Sequence, residues 1–403
     1  MRPPLIPLLC TTAFASTFSI GAFPALLPEL GSVAGLADWQ LGVVAGAFGL
    51  ARLAADQPVG RLVDRHLRGL LGLAPFVLAI GILGLATGGP FPVLALGRAV
   101  MGVAHALAMV AGLTAVLRHQ AAGALAAALS AYELAAMLGM LGGTLAVRLL
   151  PTALPWNLAL LAAASPVGIA VAAVPLVLRA LPATGPAPRP PARGRAAGPA
   201  PVTGGVVLAF AAGTTVALTY SLLEQIAIPL RGSREFGLDR HGVAGLLMTA
   251  QVVDILCLVP FGLLSDRRGI APVLGRVLLV FAAGTALVAF GDFTLLVGGC
   301  VLYGVGMAGW TLPLGLLRAD TPAPQVGWRT ALYRVGVDGG IFLGPVLGGL
   351  LAAAAPRLLP GLCALALGTL GVLLLRRPAL LAGPLTGPAS SASASPGRPG
   401  RLP

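Results

Sequence analysis

Twelve times along this chain the sequence stays apolar for about twenty residues before a proline, a glycine pair or an arginine interrupts it. Wound as a helix at about 1.5 Å per residue, a run of that length crosses the roughly 30 Å of hydrocarbon in a bilayer. Lipid offers no partner to a backbone amide, so each span must bond within itself as a helix. The composition suits no water-exposed surface: 57% of the 403 residues are hydrophobic, 10% are charged, and the mean hydropathy is +0.94. The expected fold class is an all-α membrane protein with twelve transmembrane helices and the lipid bilayer as its solvent.

The breaks predict helices over 5–28, 40–60, 69–88, 92–117, 122–148 and 155–178, then over 205–229, 241–263, 272–290, 293–317, 331–354 and 358–375. Between the two sets, 179–204 is too rich in Pro, Gly and Arg for a helix or a span. It reads as a cytoplasmic linker between an N-terminal six-helix bundle (1–178) and a C-terminal one (205–376). Residues 377–403 share that composition and are expected to form a disordered cytoplasmic tail. The N-terminal apolar run is too long for the core of a signal peptide and reads as the first span.

The formal charge is +13, and every basic residue is arginine. These arginines form no face interleaved with aromatics, which argues against a nucleic-acid partner. They sit between spans. With both termini cytoplasmic, nineteen of the 26 lie inside, and only Arg148, Arg231, Arg234, Arg240 and Arg357 lie outside. That asymmetry is the one expected of a multi-pass protein of the inner membrane. Cys10, Cys257, Cys300 and Cys363 all fall in apolar segments without metal-ligand spacing, so neither a metal nor a cofactor is expected. With no nucleophile elbow or phosphate-cradling loop either, an enzyme is disfavoured.

Two loops carry one motif. Gly60-Arg-Leu-Val-Asp64-Arg65 follows the second span, and Gly262-Leu-Leu-Ser-Asp266-Arg267 follows the eighth, half a chain away. The repetition implies an internal duplication. It resembles the signature loop of the major facilitator superfamily, and the resemblance extends to the whole twelve-helix layout. What it implies is two pseudo-symmetric six-helix bundles, with Asp64 latching the inner face against the N-terminus of the eleventh span and Asp266 as its counterpart. A carboxylate at a helix N-terminus is worth roughly 0.3–1 kcal/mol. Leu67 stands where the family usually has glycine. Arg98 and Gly102 resemble the family's Arg-x-x-x-Gly motif. Gly340, Gly344, Pro345, Gly348 and Gly349 resemble the glycine–proline pattern that exporters usually carry in the fifth span, which here keeps only Gly139, Gly142 and Gly143. The relative implied is a drug or metabolite exporter.

An ionisable side chain at mid-bilayer costs about 2.5–3.5 kcal/mol, so its placement is informative. Arg52, His105, Glu133 and Asp254 count to the midplane, Arg98 and Glu224 to the outer half, and Asp56, Arg334 and Asp338 to the inner side. Glu133 and Asp254 are the expected proton-exchanging acids, modulated by Arg98. Arg52, Asp56 and Asp338 complete the candidates for coupling, with Arg52 able to pair with Asp56 and Arg334 with Asp338 one turn along. His105 reads as a packing residue, and Glu29 and Asp38, at span ends, as solvated. Thr12, Ser16, Tyr132, Tyr220, Glu224, Gln225, Gln251, Tyr303 and Trp310 are candidates to line a central cavity.

With one asparagine in the chain, a sugar site is disfavoured and a small amphipathic solute fits better. The reading is a monomeric alternating-access transporter performing proton-coupled efflux; uptake, uniport and a non-transporting sensor are the alternatives. The orientation is testable by reporter fusions in the 179–204 segment. They should report the cytoplasm, and periplasmic activity there would reverse the topology.

Overall fold

The computed structural model describes residues 4–120, 122–182, 202–322 and 325–376. Among these the chain is helical, without strands. Most of the expected linker and all of the expected tail lie outside the described residues.

The first group of helices is α1 (Leu5–Val33), α2 (Asp38–Ala86), α3 (Phe91–His119), α4 (Leu125–Leu149), α5 (Trp156–Ala164) and α6 (Val167–Ala180). The second is α7 (Gly204–Leu222), α8 (Ile228–Arg234), α9 (Arg240–Arg268), α10 (Ile270–Phe290), α11 (Phe293–Met307), α12 (Leu312–Ala319), α13 (Val326–Ala352) and α14 (Leu358–Arg376). Eleven stretches are long and apolar enough to cross a membrane, and α2 comprises two helices joined at a kink.

Local chemistry explains the joints. At 49 residues α2 would reach about 74 Å if straight, more than twice the hydrocarbon thickness. It folds back at His66, whose backbone leaves the helical region. The two limbs end up side by side, because Gly102 of α3 abuts the Phe48 carbonyl while Gly97 of α3 abuts Gly81 and Leu85. The second signature loop turns differently: Gly269, at φ +84°, ends α9 and starts α10. With Leu67 and no glycine at the equivalent point, the first loop keeps its helical bonding almost through the turn.

Prolines divide three spans. Pro166 separates α5 from α6, and Pro313 opens α12 after a break behind α11. Pro229, which lacks an N–H, opens α8, and the chain before it widens into a π turn over Leu223–Ala227. Asp239 caps α9 by accepting from the Gly242 amide, and Asp292 caps α11 by accepting from Leu295.

Small residues set the closest approaches. Gly21, Gly139 and Gly143 leave no room for a Cβ between α1 and α4. Along α13, Gly340 and Gly344 fit against the α7 backbone, while Gly349 meets α2 at Gly42 and the Asp38 carbonyl. These glycines are seams of packing. Leu73, Ile80 and Leu83 of α2, Ile169 of α6 and Leu365 of α14 are exposed, forming the apolar exterior that lipid covers.

Gly344→Val should therefore lower the melting temperature of the purified protein, with overpacking of about 1–3 kcal/mol. Gly339→Ala, five residues earlier and with open space where its Cβ would sit, should leave it unchanged. Equal melting of both variants would show that the seam yields freely.

Candidate functional site

At one end the two groups of helices are clasped together. Arg240, 3% exposed, donates from Nε to Glu29 Oε1 at 2.7 Å and from Nη2 to the carbonyls of Thr152 (3.2 Å) and Leu154 (2.5 Å). Arg234 forks onto Asp38 at 2.9 and 2.5 Å. Arg148 donates to the His241 carbonyl at 2.9 Å, and the His241 ring bonds the Leu150 carbonyl at 2.6 Å. Every one of these links joins the first group to the second. Bidentate arginine–carboxylate contacts fix orientation as well as charge. A cavity of about 330 Å³ lies in the clasp, lined in part by Glu29, Ser32, Arg234, Asp239 and Arg240. Glu29 and Asp38 were expected to be solvated; instead they anchor this closure, because α1 and the start of α2 pack beside α8 and α9.

The middle of the molecule is polar and divided. Arg98 of α3 is 1% exposed, with its guanidinium carbon 4.0 Å from the Phe23 ring centre and 4.7 Å from that of Phe48. Its Nη2 points to Gln225 Oε1 at 3.4 Å, across the boundary between the groups. In the second group, Glu224 is buried and accepts from Gln251 Nε2 at 3.0 Å and from the Tyr303 hydroxyl at 3.2 Å. The π turn presents Glu224 and Gln225, adjacent in sequence, to these two different partners. Asp254, one turn from Gln251, is half-buried, forms no ion pair among the described residues, and leaves Oδ1 without a donor. The Tyr220 ring meets Trp310 edge-on at 5.8 Å.

Nearer the other end, α2 and α13 run antiparallel and interlock their charges. Arg52 lies 3.0 Å from Asp338, and Arg334 lies 3.3 Å from Asp56. The expected pairs along each helix are replaced by pairs between helices, since the seam brings the two Arg-x-x-x-Asp sequences face to face. Glu133 is exposed and forms no ion pair among the described residues, with Arg334 and Arg52 its principal cationic neighbours. It is not part of the Glu224–Asp254 cluster.

The signature loops stand apart. Asp64 pairs with Arg118 of α3, within its own group, and does not reach α13. Among the described residues, Asp266 is exposed and without an ion pair, as are Arg65 and Arg267, and no neighbour crowds Gly60 or Gly262. The expected latch is unmade here: Arg118 takes the Asp64 carboxylate, and Asp64, Arg65, Asp266 and Arg267 are all exposed.

Three cavity candidates lie within the first group. The Tyr132 hydroxyl donates to the Ala108 carbonyl at 3.1 Å, Thr12 bonds within its own helix, and Ser16 faces a space of about 10 Å³ inside the first group. The clasp escaped the sequence reading. The signal was there in Arg148, Arg234 and Arg240, three of the five arginines on the side otherwise poor in them.

Among the described residues, a helical bundle clasped across its two groups at one end, with a polar centre between them, is the architecture of a membrane transporter of small solutes, and not of an enzyme. The family model described as Major Facilitator Superfamily matches residues 9–237 and again 205–398. The chain belongs to that superfamily. Among solved structures it is similar to the nucleoside transporter NupG, with 14% identity and a TM-score of 0.70 over 94% of this chain and 100% of that one. It is also similar to a bacterial homolog of the human lysosomal transporter Spinster, in an inward-facing and unoccupied conformation, with 15% identity and a TM-score of 0.68 over 94% and 93%. No curated protein matches.

Removing one partner of a buried ion pair leaves an uncompensated charge, typically a cost of 3–5 kcal/mol. Arg240→Ala should therefore favour opening of the clasped end. A cysteine introduced at Ala25, which lines the clasp cavity and is 1% exposed, would then react several-fold faster with an impermeant maleimide. Unchanged labelling would mean that the clasp does not hold the end shut.

Proposed function

We propose that this protein is a proton-coupled secondary transporter that exports a small amphipathic organic solute across the cytoplasmic membrane by alternating access. The observation that carries the reading is the cluster of Glu224 and Asp254, two intramembrane carboxylates without a cationic partner. Such acids mark proton relays and substrate paths in membrane proteins. Water entering from one side or the other changes what their charged form costs, so a proton can be taken up in one conformation and released in the opposite one.

The arginine-rich end is the cytoplasmic one by the positive-inside rule, which makes the conformation described here inward-open. Both termini are then cytoplasmic, and the protein works as a monomer. Rocking the six-helix halves 1–178 and 205–376 about the α2–α13 seam would break the Glu29, Asp38 and Gln225 contacts and bring the inner ends together. Asp64 would then exchange Arg118 for the N-terminal end of α13, where the helix dipole favours an anion. Glu133, facing the open end, is a second acid on the path. Export follows from the apolar walls: a solute that partitions into lipid needs removal more than capture.

The test uses proteoliposomes filled with a pH-sensitive dye and offered small amphipathic solutes of every charge. At least one solute should move protons with it. Asp254→Asn should reduce gradient-driven flux by about tenfold or more while solute exchange persists. Flux indifferent to the gradient in wild type and variant alike would leave a uniporter.

A further inference from the structure

We propose that Arg98 is the anion-recognition group of the transport site, and that the solute carried is an organic monoanion, a small carboxylate with an apolar body. The inference rests on the transport reading of the same central region.

Arg98 is unlike the other arginines at the boundary of the two groups. Arg52, Arg334, Arg234 and Arg240 each meet a carboxylate within 3.3 Å. Arg98 meets none, although it is the most deeply buried of the five. A guanidinium has five N–H donors in one plane and accepts nothing. Here only Nη2 has an acceptor, the Gln225 amide oxygen at 3.4 Å, while Nε and both hydrogens of Nη1 point at no acceptor among the described residues. Leaving a buried donor unbonded costs about 1–3 kcal/mol, and more when it is charged.

Phe23 and Phe48 stabilise the cation through their ring faces without occupying those donors. They fix the guanidinium in place and supply apolar wall beside its free edge. Phe48 also lies 5.9 Å from the Arg52 guanidinium and 5.4 Å from the His105 ring, so the wall continues toward the open end.

The protein's own acids are held elsewhere. Glu224 sits one residue from Gln225, the residue that touches Arg98, yet both of its oxygens are engaged by Gln251 and Tyr303. Asp338, the buried acid nearest to Arg52, is committed to that residue. An anion arriving from outside the chain is what completes Arg98. A planar carboxylate matches two parallel N–H groups and neutralises a single charge. One guanidinium with no second free cation beside it among the described residues favours a monoanion over a phosphate ester. The aromatic wall favours an apolar body.

The experiment reads binding on purified wild-type protein in detergent, without a gradient, so that it is separable from coupling and flux. Benzoate, phenylacetate and hexanoate are titrated against benzyl alcohol, benzylamine and phenyl phosphate at matched ionic strength, following thermal unfolding. The carboxylates should give a saturable upward shift that the alcohol, the amine and the phosphate do not. Arg98→Gln should weaken the apparent affinity by about tenfold or more, and Arg98→Lys, which keeps charge but not the fork, should retain part of it. Carboxylates no better than benzyl alcohol on wild type would overturn the assignment, even should Arg98→Gln fail to fold. So would a carboxylate shift that survives intact in Arg98→Gln, or a stronger response to phenyl phosphate. A protein that binds carboxylates yet shows no proton-dependent flux would sink the coupling model and leave the anion site standing.

Discussion

Hydrocarbon neither hydrates a charge nor screens it, so a charged side chain inside a bilayer needs either a partner or an aqueous space. Among the described residues of this protein, four of the eight ion pairs lie across the boundary between the two groups of helices. Arg240 with Glu29, Arg234 with Asp38, Arg52 with Asp338 and Arg334 with Asp56 all bridge it. Such pairs contribute little net stability compared with apolar packing, but breaking one without water is costly. Opening the clasped end is therefore tied to wetting it, and a closed state and an open state are both favoured over anything between.

The helix α13 shows how packing and charge share one element. Its glycines at 340 and 344 let the α7 backbone approach, Gly349 does the same for α2, and Arg334 and Asp338 continue the α2 contact as ion pairs. The glycine portion is rigid because two backbones touch. The ionic portion depends on its surroundings, being strong when dry and weak when wet. A seam graded in this way can act as a pivot at one end while its charged end responds to water.

The polar centre divides its roles between the groups. The acids without cations, Glu224 and Asp254, belong to the second; the cation without an acid, Arg98, belongs to the first. The Gln225 amide is the contact between them. A π turn makes this possible, since the wider turn aims consecutive side chains at different partners where a regular helix would commit them otherwise. Its cause lies in the missing N–H of Pro229.

The sequence by itself determined the solvent, the helical class, the twelve spans with their ends within about six residues, and the repeated loops that carry the family. These are local properties: hydropathy over about twenty residues, and breaks made by Pro, Gly and Arg. It also marked which charges lie inside the membrane, because depth follows from counting along a span. Only the tertiary structure decided their partners. Arg52 has an aspartate one turn away and bonds another nearly three hundred residues distant. Asp64 meets Arg118 of its own group and not the eleventh span. Glu29 is an anchor and not a solvated end because α1 packs beside α9. An ion pair is set by which helix surfaces face each other, and that depends on the whole bundle and on its conformational state.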